Sequence, residues 1–551
     1  MKINKNQILL FITIISYICL NIIYLDKFPF VHSDEPWLSG LSKNMLENTS
    51  LSVTEPFFDL MPRYPHALKV VFHLIQIPFI YFFGYNIFSV RLISLIFGLL
   101  TLFIFYILLK KLTNKTLLSY LGTLLLAVDI QFIYASHFAR QEILLLFIFL
   151  VSLYILFICR FNITLTPSRN QKLNMLFNKL SVFTIKSEPL LIGSLIGLSI
   201  GIHPNSFIIF LPIFLIYSFE FFYNKPKKDY KIFIFLTTVS LFAASFVLLS
   251  FYFDSDFVAH YFSYGKSFKV DSSIVGKIKG FAKFYKDIIE RNGKTYYIPN
   301  LDFQFIFFIT TFILSLIELV KIYTNNKKAE FTCLLYIILS IAGLNLGAMI
   351  IGRFNQTSII FQFPLYYILA VLLTRNLSSK AQNLVLISII IISSYFSYIN
   401  IMPYKNLEYN SYLKVLNAIP SDSVVLSNLN THYYFQSSNF YDYRNLPYLE
   451  ENNLSIKEYI EKNKIEYIVI TEDLSFFYNN KPHYNGVYGN IDFYPDLEAF
   501  LAKRCSIISK IKSRLYPMHM VKFTGLYEEY KSMAVKDYWD ITIYKVNYPI
   551  N

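Results

Sequence analysis

Two acids stand side by side at Asp34 and Glu35 in "FPFVHSDEPWLSG", between a histidine and one of the chain's two tryptophans. A carboxylate in a partly desolvated setting can take the proton of a hydroxyl as its oxygen attacks an electrophile. Burial weakens its acidity and a neighbouring cation or metal strengthens it, so the surroundings set its power as a base. The same pair could instead cap the helix "EPWLSGLSKNMLEN", with Pro36 in the first turn and both charges at the positive end of the dipole. A second constellation, "SHFARQE", offers His137, Arg140 and Glu142. Arg140 and Glu142 are two apart, so they do not share a helix face. They could orient a phosphate and a metal ion, or pair with lipid headgroups. His203 in "GIHPN" and Arg353 in "IGRFNQ" are isolated cations, able to hold an anion or to reach for headgroups.

A membrane must position these residues. The chain has 551 residues, 55% of them hydrophobic and 16% charged, with a mean hydropathy of +0.44. Soluble domains carry about 25% charged residues. The apolar excess comes in blocks long enough to cross a bilayer, which takes about 20 residues. The net charge of +14 sits mainly between those blocks, as orientation in a membrane requires. There is no separate basic domain with interleaved aromatics, which argues against nucleic acid as a partner. Cys19, Cys159 and Cys333 fall in hydrophobic spans and Cys505 stands alone, so no disulfide framework or cysteine metal site is indicated. The opening "MKINKNQILLFITIISYICLNIIYL" has a basic flank, an apolar run and no small-residue cleavage site, and reads as an uncleaved first transmembrane helix.

The basic residues fix the topology. Lys110, Lys111, Lys115, Arg160, Arg169, Lys172, Lys179 and Lys186, with "NKPKKDYK" and "NNKK", would lie outside if every apolar stretch crossed. If 67–83 lies in the interface instead, every basic connector faces the cytoplasm, as the positive-inside rule prefers. The chain then reads as a polytopic α-helical membrane protein with about eleven spans, the N-terminus inside and the C-terminus outside. The 26–87 loop, the 136–142 and 201–205 turns, the 253–302 loop, the 351–356 turn and the tail all share the outer face. Ionisable residues collected at membrane ends are functional candidates by default. The membrane part is assigned to 1–402 and the tail to 403–551. In the tail "SDSVVLSN", "IEYIVITED" and "WDITIYKV" read as strands and "YNSYLKVLNAI" and "LSIKEYIEKN" as helices, a small extracytoplasmic α/β domain. "KDYWDIT" faintly resembles the tryptophan–aspartate–tyrosine signature of oligosaccharyltransferases, but the order differs and Trp539 reads as packing.

The loop acids followed by "RYPHALKVVFHLIQIPFIYFFGYNIFSVRLISLIF" and "DIQFIYASHFARQEILLLF" resemble the GT-C membrane glycosyltransferases. That superfamily, which includes protein O-mannosyltransferases and the aminoarabinose transferases of lipid A, uses polyprenyl-phosphate sugars. The likeness is good over 28–160 and general to 400. It implies that Asp34 is the catalytic base with Glu35 beside it, that Tyr64 and His66 lie near the lipid donor, and that Arg140 and Glu142 belong to the site. It also implies that Arg353 meets the carrier phosphate. One departure points away from an aminosugar donor: Arg63 and Tyr64 stand where the aminoarabinose transferases have an acid and a lysine.

The implied reaction is inverting transfer of a sugar to an acceptor hydroxyl at the outer surface of the cell membrane. The acceptor is a protein, lipid or glycan of the cell envelope. The departing phosphate needs cations, here Arg140, Arg353 and His203, or a divalent metal such as Mg2+, Mn2+ or Zn2+. Glu142, with Asp34, could hold that metal, or Glu142 could bind sugar hydroxyls. A transporter would show inverted repeats and mid-membrane charges, and neither is evident. An oligosaccharyltransferase or polymerase would need an acceptor-reading motif in the tail, where only the weak match above is found.

Overall fold

The computed structural model describes residues 5–160, 187–223, 230–267, 273–290, 296–352, 354–405, 409–435, 439–480, 490–513 and 539–548. Eight helices among them are long and apolar enough to cross a bilayer, or nine if one bent pair counts as a span. The first loop holds α2 (Asp34–Glu47) and α3 (Val70–Phe83), after α1 (Lys5–Tyr24). At 14 residues α3 reaches about 21 Å, well short of a bilayer core. It turns His73 and Gln76 onto α2, where Ser42 Oγ donates to Gln76 Oε1 at 2.6 Å and lies 2.8 Å from His73 Nδ1.

The bundle continues with α4 (Ile87–Thr113), α5 (Thr116–Ala127), α6 (Ile130–His137) and α7 (Glu142–Arg160). Next come α8 (Ser187–Ile200), α9 (Ser206–Tyr223) and α10 (Lys231–Phe253). The single span expected over 117–135 is bent by 66° between α5 and α6. Asp129 causes the break. Its carboxylate accepts the N–H groups of Gln131 and Phe132 at 2.8 and 3.1 Å and so starts a new helix. Tyr367 Oη and Gln304 Nε2 donate to its other oxygen at 2.8 and 3.2 Å.

The later part comprises α11 (Phe257–Ser267), α12 (Ile274–Ile289), α13 (Asp302–Thr324), α14 (Lys328–Ile351), α15 (Phe363–Leu373) and α16 (Ser379–Ile401), with a 3-10 turn at Gln356–Gln362. α14 lies tight on α9 through Gly343 and Gly347. A Cβ at Gly343 would stand 2.5 Å from the backbone N of Pro212, and one at Gly347 2.8 Å from Ile208 Cα. Small residues four apart let membrane helices approach this closely. At the opposite end of α7, Arg160 pairs with Glu188 at 2.8 Å and also with Glu220, tying α7, α8 and α9 together.

The tail carries a five-stranded sheet in the order β2-β1-β3-β5-β4, with β1 Val425–Ser427, β2 Phe440–Asp442, β3 Tyr467–Thr471, β4 Cys505–Ser513 and β5 Trp539–Val546. β1 runs parallel to β2 and β3, while β5 runs antiparallel to β3 and β4. β1, β3 and β5 stand where strands are expected; β2 and β4 are additions. Trp539 opens β5, and the preceding residues 536–538 of "KDYWDIT" lie outside the described residues. The tail shares a core with the first loop: Phe57, Phe58 and Tyr85 pack with Val425, Tyr433, Phe440 and Ile543. Polar contacts seal the seam. Asn445 Nδ2 donates to Phe57 O at 2.9 Å, and Tyr459 Oη to Asp59 at 2.8 Å.

Candidate active site

Asp34 is the first residue of α2, and Glu142 the first of α7. Each helix therefore presents the positive end of its dipole to a carboxylate. The two acids, far apart in sequence, are joined by Arg140 in the turn before α7. Its Nη1 lies 2.9 Å from Asp34 Oδ2 and its Nη2 3.5 Å from Glu142 Oε1. Tyr296 completes the cluster. Its hydroxyl donates to Asp34 Oδ2 at 2.7 Å, its ring stacks on His32 at 4.6 Å, and the Arg140 guanidinium sits 5.0 Å over it. Asp34 keeps 24% of its side chain exposed, against 7% for Arg140 and 6% for Glu142. Burial pushes the Asp34 carboxyl up, but its neighbours His32 and Arg140 and the Tyr296 hydrogen bond outweigh it. They hold the group well below the usual carboxylate range. Asp34 is an ionised carboxylate at neutral pH.

Glu35 faces the other way. It is fully buried, and Arg91 Nε and Nη2 bond its two oxygens at 2.8 Å each. The backbone N–H groups of His32 and Ala139 donate to the same oxygens at 3.0 Å. A carboxylate so occupied has no lone pair to offer an acceptor hydroxyl. Glu35, expected beside the base, instead locks α2 to α4 and to the "SHFARQE" turn through these bonds. Its partner Arg91, inside an apolar run, carried no sequence signal of this role.

His137 is also inward. Its ring lies between Phe28 O at 2.8 Å and Asn21 Oδ1 at 2.7 Å. Glu142 Oε1 accepts the Thr357 hydroxyl at 2.6 Å. Next to Thr357, Ser358 receives the Asn205 amide at 3.1 Å, and the Asn205 N–H donates to His203 Nδ1 at 3.0 Å. His203 thus stands at the far end of a polar chain leading to Glu142. Tyr64 and His66 pack on α11 instead: Tyr64 stacks on His260 at 3.5 Å, and His66 meets the Tyr261 ring at 6.0 Å. Desolvation, then the charges of Lys69 and Arg63, lower the His66 pKa to about 3. Arg353 lies outside the described residues.

A divalent metal fits this arrangement poorly. Asp34 and Glu142, the acids that would hold such an ion, are both in contact with the Arg140 guanidinium. Among the described residues no group of three or more histidine, cysteine or acidic side chains is placed to hold one.

Tyr296 and Thr357 were missed by sequence reasoning, since a lone tyrosine or threonine in a loop carries no motif. Sequence also missed the unmet hydrogen-bonding capacity of the turn. Arg140 Nε, both polar atoms of Gln141 and Glu142 Oε2 are buried without a hydrogen-bond partner among the described residues.

Residues 66–257 match the family described as dolichyl-phosphate-mannose-protein mannosyltransferase. No curated protein matches the sequence. The structure is similar to that of ArnT from Cupriavidus metallidurans in the apo state, at a TM-score of 0.56 and 9% identity, covering 97% of each chain. The same protein bound to undecaprenyl phosphate matches at 0.51 and 11% identity, covering 86% of this chain and 94% of the other. An oligosaccharyltransferase from Archaeoglobus fulgidus matches at 0.51 and 12% identity, covering 89% of this chain and 72% of the other. Identities this low speak for the architecture alone. The chain is a multi-pass membrane protein with the GT-C glycosyltransferase fold.

Proposed function

We propose that the chain moves one sugar from a polyprenyl-phosphate carrier to an acceptor hydroxyl at the outer membrane surface, inverting the anomeric carbon. The observation that carries this reading is the "ARQE" turn beside Asp34. Buried polar groups without partners are rare in folded proteins, yet three consecutive side chains hold them there. A ligand bearing both phosphate and hydroxyls would satisfy a guanidinium, an amide and a carboxylate together.

The roles follow from position. A carrier phosphate draws Arg140 toward itself, which frees Asp34 Oδ2 and restores its basicity as the cation is shared. Asp34 takes the acceptor's proton while the acceptor oxygen bonds to the anomeric carbon. The bond from that carbon to the phosphate oxygen breaks, and its electron pair stays on the phosphate, balanced by Arg140. Glu142, braced by Thr357, accepts sugar hydroxyls. By the family resemblance Arg353 is assigned to the carrier phosphate; His203 supports the Glu142 side through Asn205 and Ser358, and Tyr64 and His66 flank the approach of the donor at α11.

The sugar is a hexose or pentose; the matching family's description names mannose. The carrier is read from the undecaprenyl phosphate bound by ArnT. The acceptor is a protein, lipid or glycan of the envelope. The basic connectors support an N-terminus in the cytoplasm and a 403–551 domain outside. Proteoliposomes given a panel of labelled polyprenyl-phosphate hexoses and pentoses test the reading. The expected result is release of polyprenyl phosphate with label on an acceptor. Movement of intact donor across the bilayer with no bond cleaved would favour a transporter.

A further inference from the structure

α12 has three faces. At about 100° per residue, Phe284 and Ile288 share one side, and both are buried. Phe281 and Phe284 meet the ring of Phe354 at 6.0 and 5.7 Å, and a Cβ on Gly280 would stand 2.8 Å from that ring. Ile274, Val275, Ile278 and Ile289 form a second stripe roughly 100° wide. They are 77%, 63%, 52% and 53% exposed. Lys279, Lys283 and Lys286 form a third face, adjoining the apolar stripe and turned away from the bundle. Four lysines on the helix stand against Asp287 and the C-cap Glu290, which pair with Lys283 at 2.6 Å and Lys286 at 3.6 Å and leave a net positive face. Lys277 Nζ donates to Ile350 O at 2.6 Å, in the last turn of α14. That bond sets α12 level with the end of a membrane span.

We propose that α12 lies in the outer leaflet's interface and recognises anionic lipid headgroups. Its isoleucine stripe enters the acyl boundary, and Lys279, Lys283 and Lys286 meet the headgroup charge. A stripe this apolar beside a lysine ridge, at the level of the bilayer surface, matches a membrane interface in both shape and charge. Docking reaches the candidate site by a short path. Phe354, on which α12 rests, precedes the Asn355–Thr357–Ser358 segment that holds Glu142 and Asn205.

The protein, with Cys19, Cys159, Cys333 and Cys505 replaced by serine, is labelled at Ile278→Cys with an environment-sensitive fluorophore. It is reconstituted in phosphatidylcholine vesicles with or without phosphatidylglycerol. The expected result is a blue-shifted label quenched by a spin-labelled acyl chain, more strongly when phosphatidylglycerol is present. Lys279→Gln should lower the docked-to-undocked ratio in anionic vesicles by roughly fivefold, the bias one lysine gives near a charged surface. A label quenched by aqueous iodide and insensitive to the lipid-borne quencher would overturn the docking. Equal docking in neutral and anionic vesicles would overturn the recognition of charge. Neither readout depends on the transferase reading.

Discussion

Glu35 and Asp34 are neighbours in sequence with opposite fates, and the difference lies in what each faces. Glu35 is buried with Arg91 at two 2.8 Å contacts, whereas Asp34 is partly exposed and held by Arg140 and Tyr296. Removing one partner of a buried pair strands the other charge and costs about 3–5 kcal/mol. Glu35→Gln should therefore lower the thermal midpoint of the detergent-solubilised protein, and its activity should fall along with the folded fraction. Tyr296→Phe removes one hydrogen bond and leaves the ring between His32 and Arg140. It should leave the melting curve near wild type and reduce sugar transfer about tenfold, equal to about 1.4 kcal/mol of lost positioning. A Tyr296→Phe protein with an unchanged transfer rate would remove Tyr296 from the site.

Elements were legible where a local signal existed. The acids and Pro36 opening α2 are read from sequence because a helix start needs only its own first turn. The spans follow from apolar length, and the basic connectors from charge. What stayed hidden depends on distant pairing. Nothing in "NIFSVRLISLIF" says that Arg91 belongs to Glu35, and nothing near Asp129 announces a 66° break. Tyr296 and Thr357 join the site only because loops and turns far apart in the chain converge on Arg140. The contact of α9 with α14 is of the same kind, since Gly343 and Gly347 matter only through what crosses them. Gly343→Ala would place a methyl against the Pro212 backbone, an overpacking that costs about 1–3 kcal/mol. Its thermal midpoint should fall, and the Asn205–Ser358 link at the N-terminal end of α9 should loosen with it. An unchanged midpoint would show that the helices can separate freely.

In the whole molecule, the tail and the first loop act as one unit. His432 lies at their seam, with Nδ1 2.7 Å from Tyr85 Oη and its ring against Phe57 and Phe440. Burial, then the charge of Lys43, lowers its pKa from 6.5 to about 3. The unfolded chain binds this proton first, so the stabilising effect is complete above about pH 6.5. It is lost as pH falls toward 3, at about 1.4 kcal/mol per pH unit. His432→Asn should flatten the decline of thermal stability between those limits, and a slope unchanged by the substitution would contradict the assignment. The seam thus holds α2, and with it Asp34, against the membrane bundle. Transfer of a labelled sugar from a polyprenyl-phosphate donor by Asp34→Asn, in protein that melts like wild type, tests the central claim most directly. A loss of at least about a hundredfold is expected for removal of a general base. Undiminished transfer by the folded variant would contradict the role of Asp34 as catalytic base.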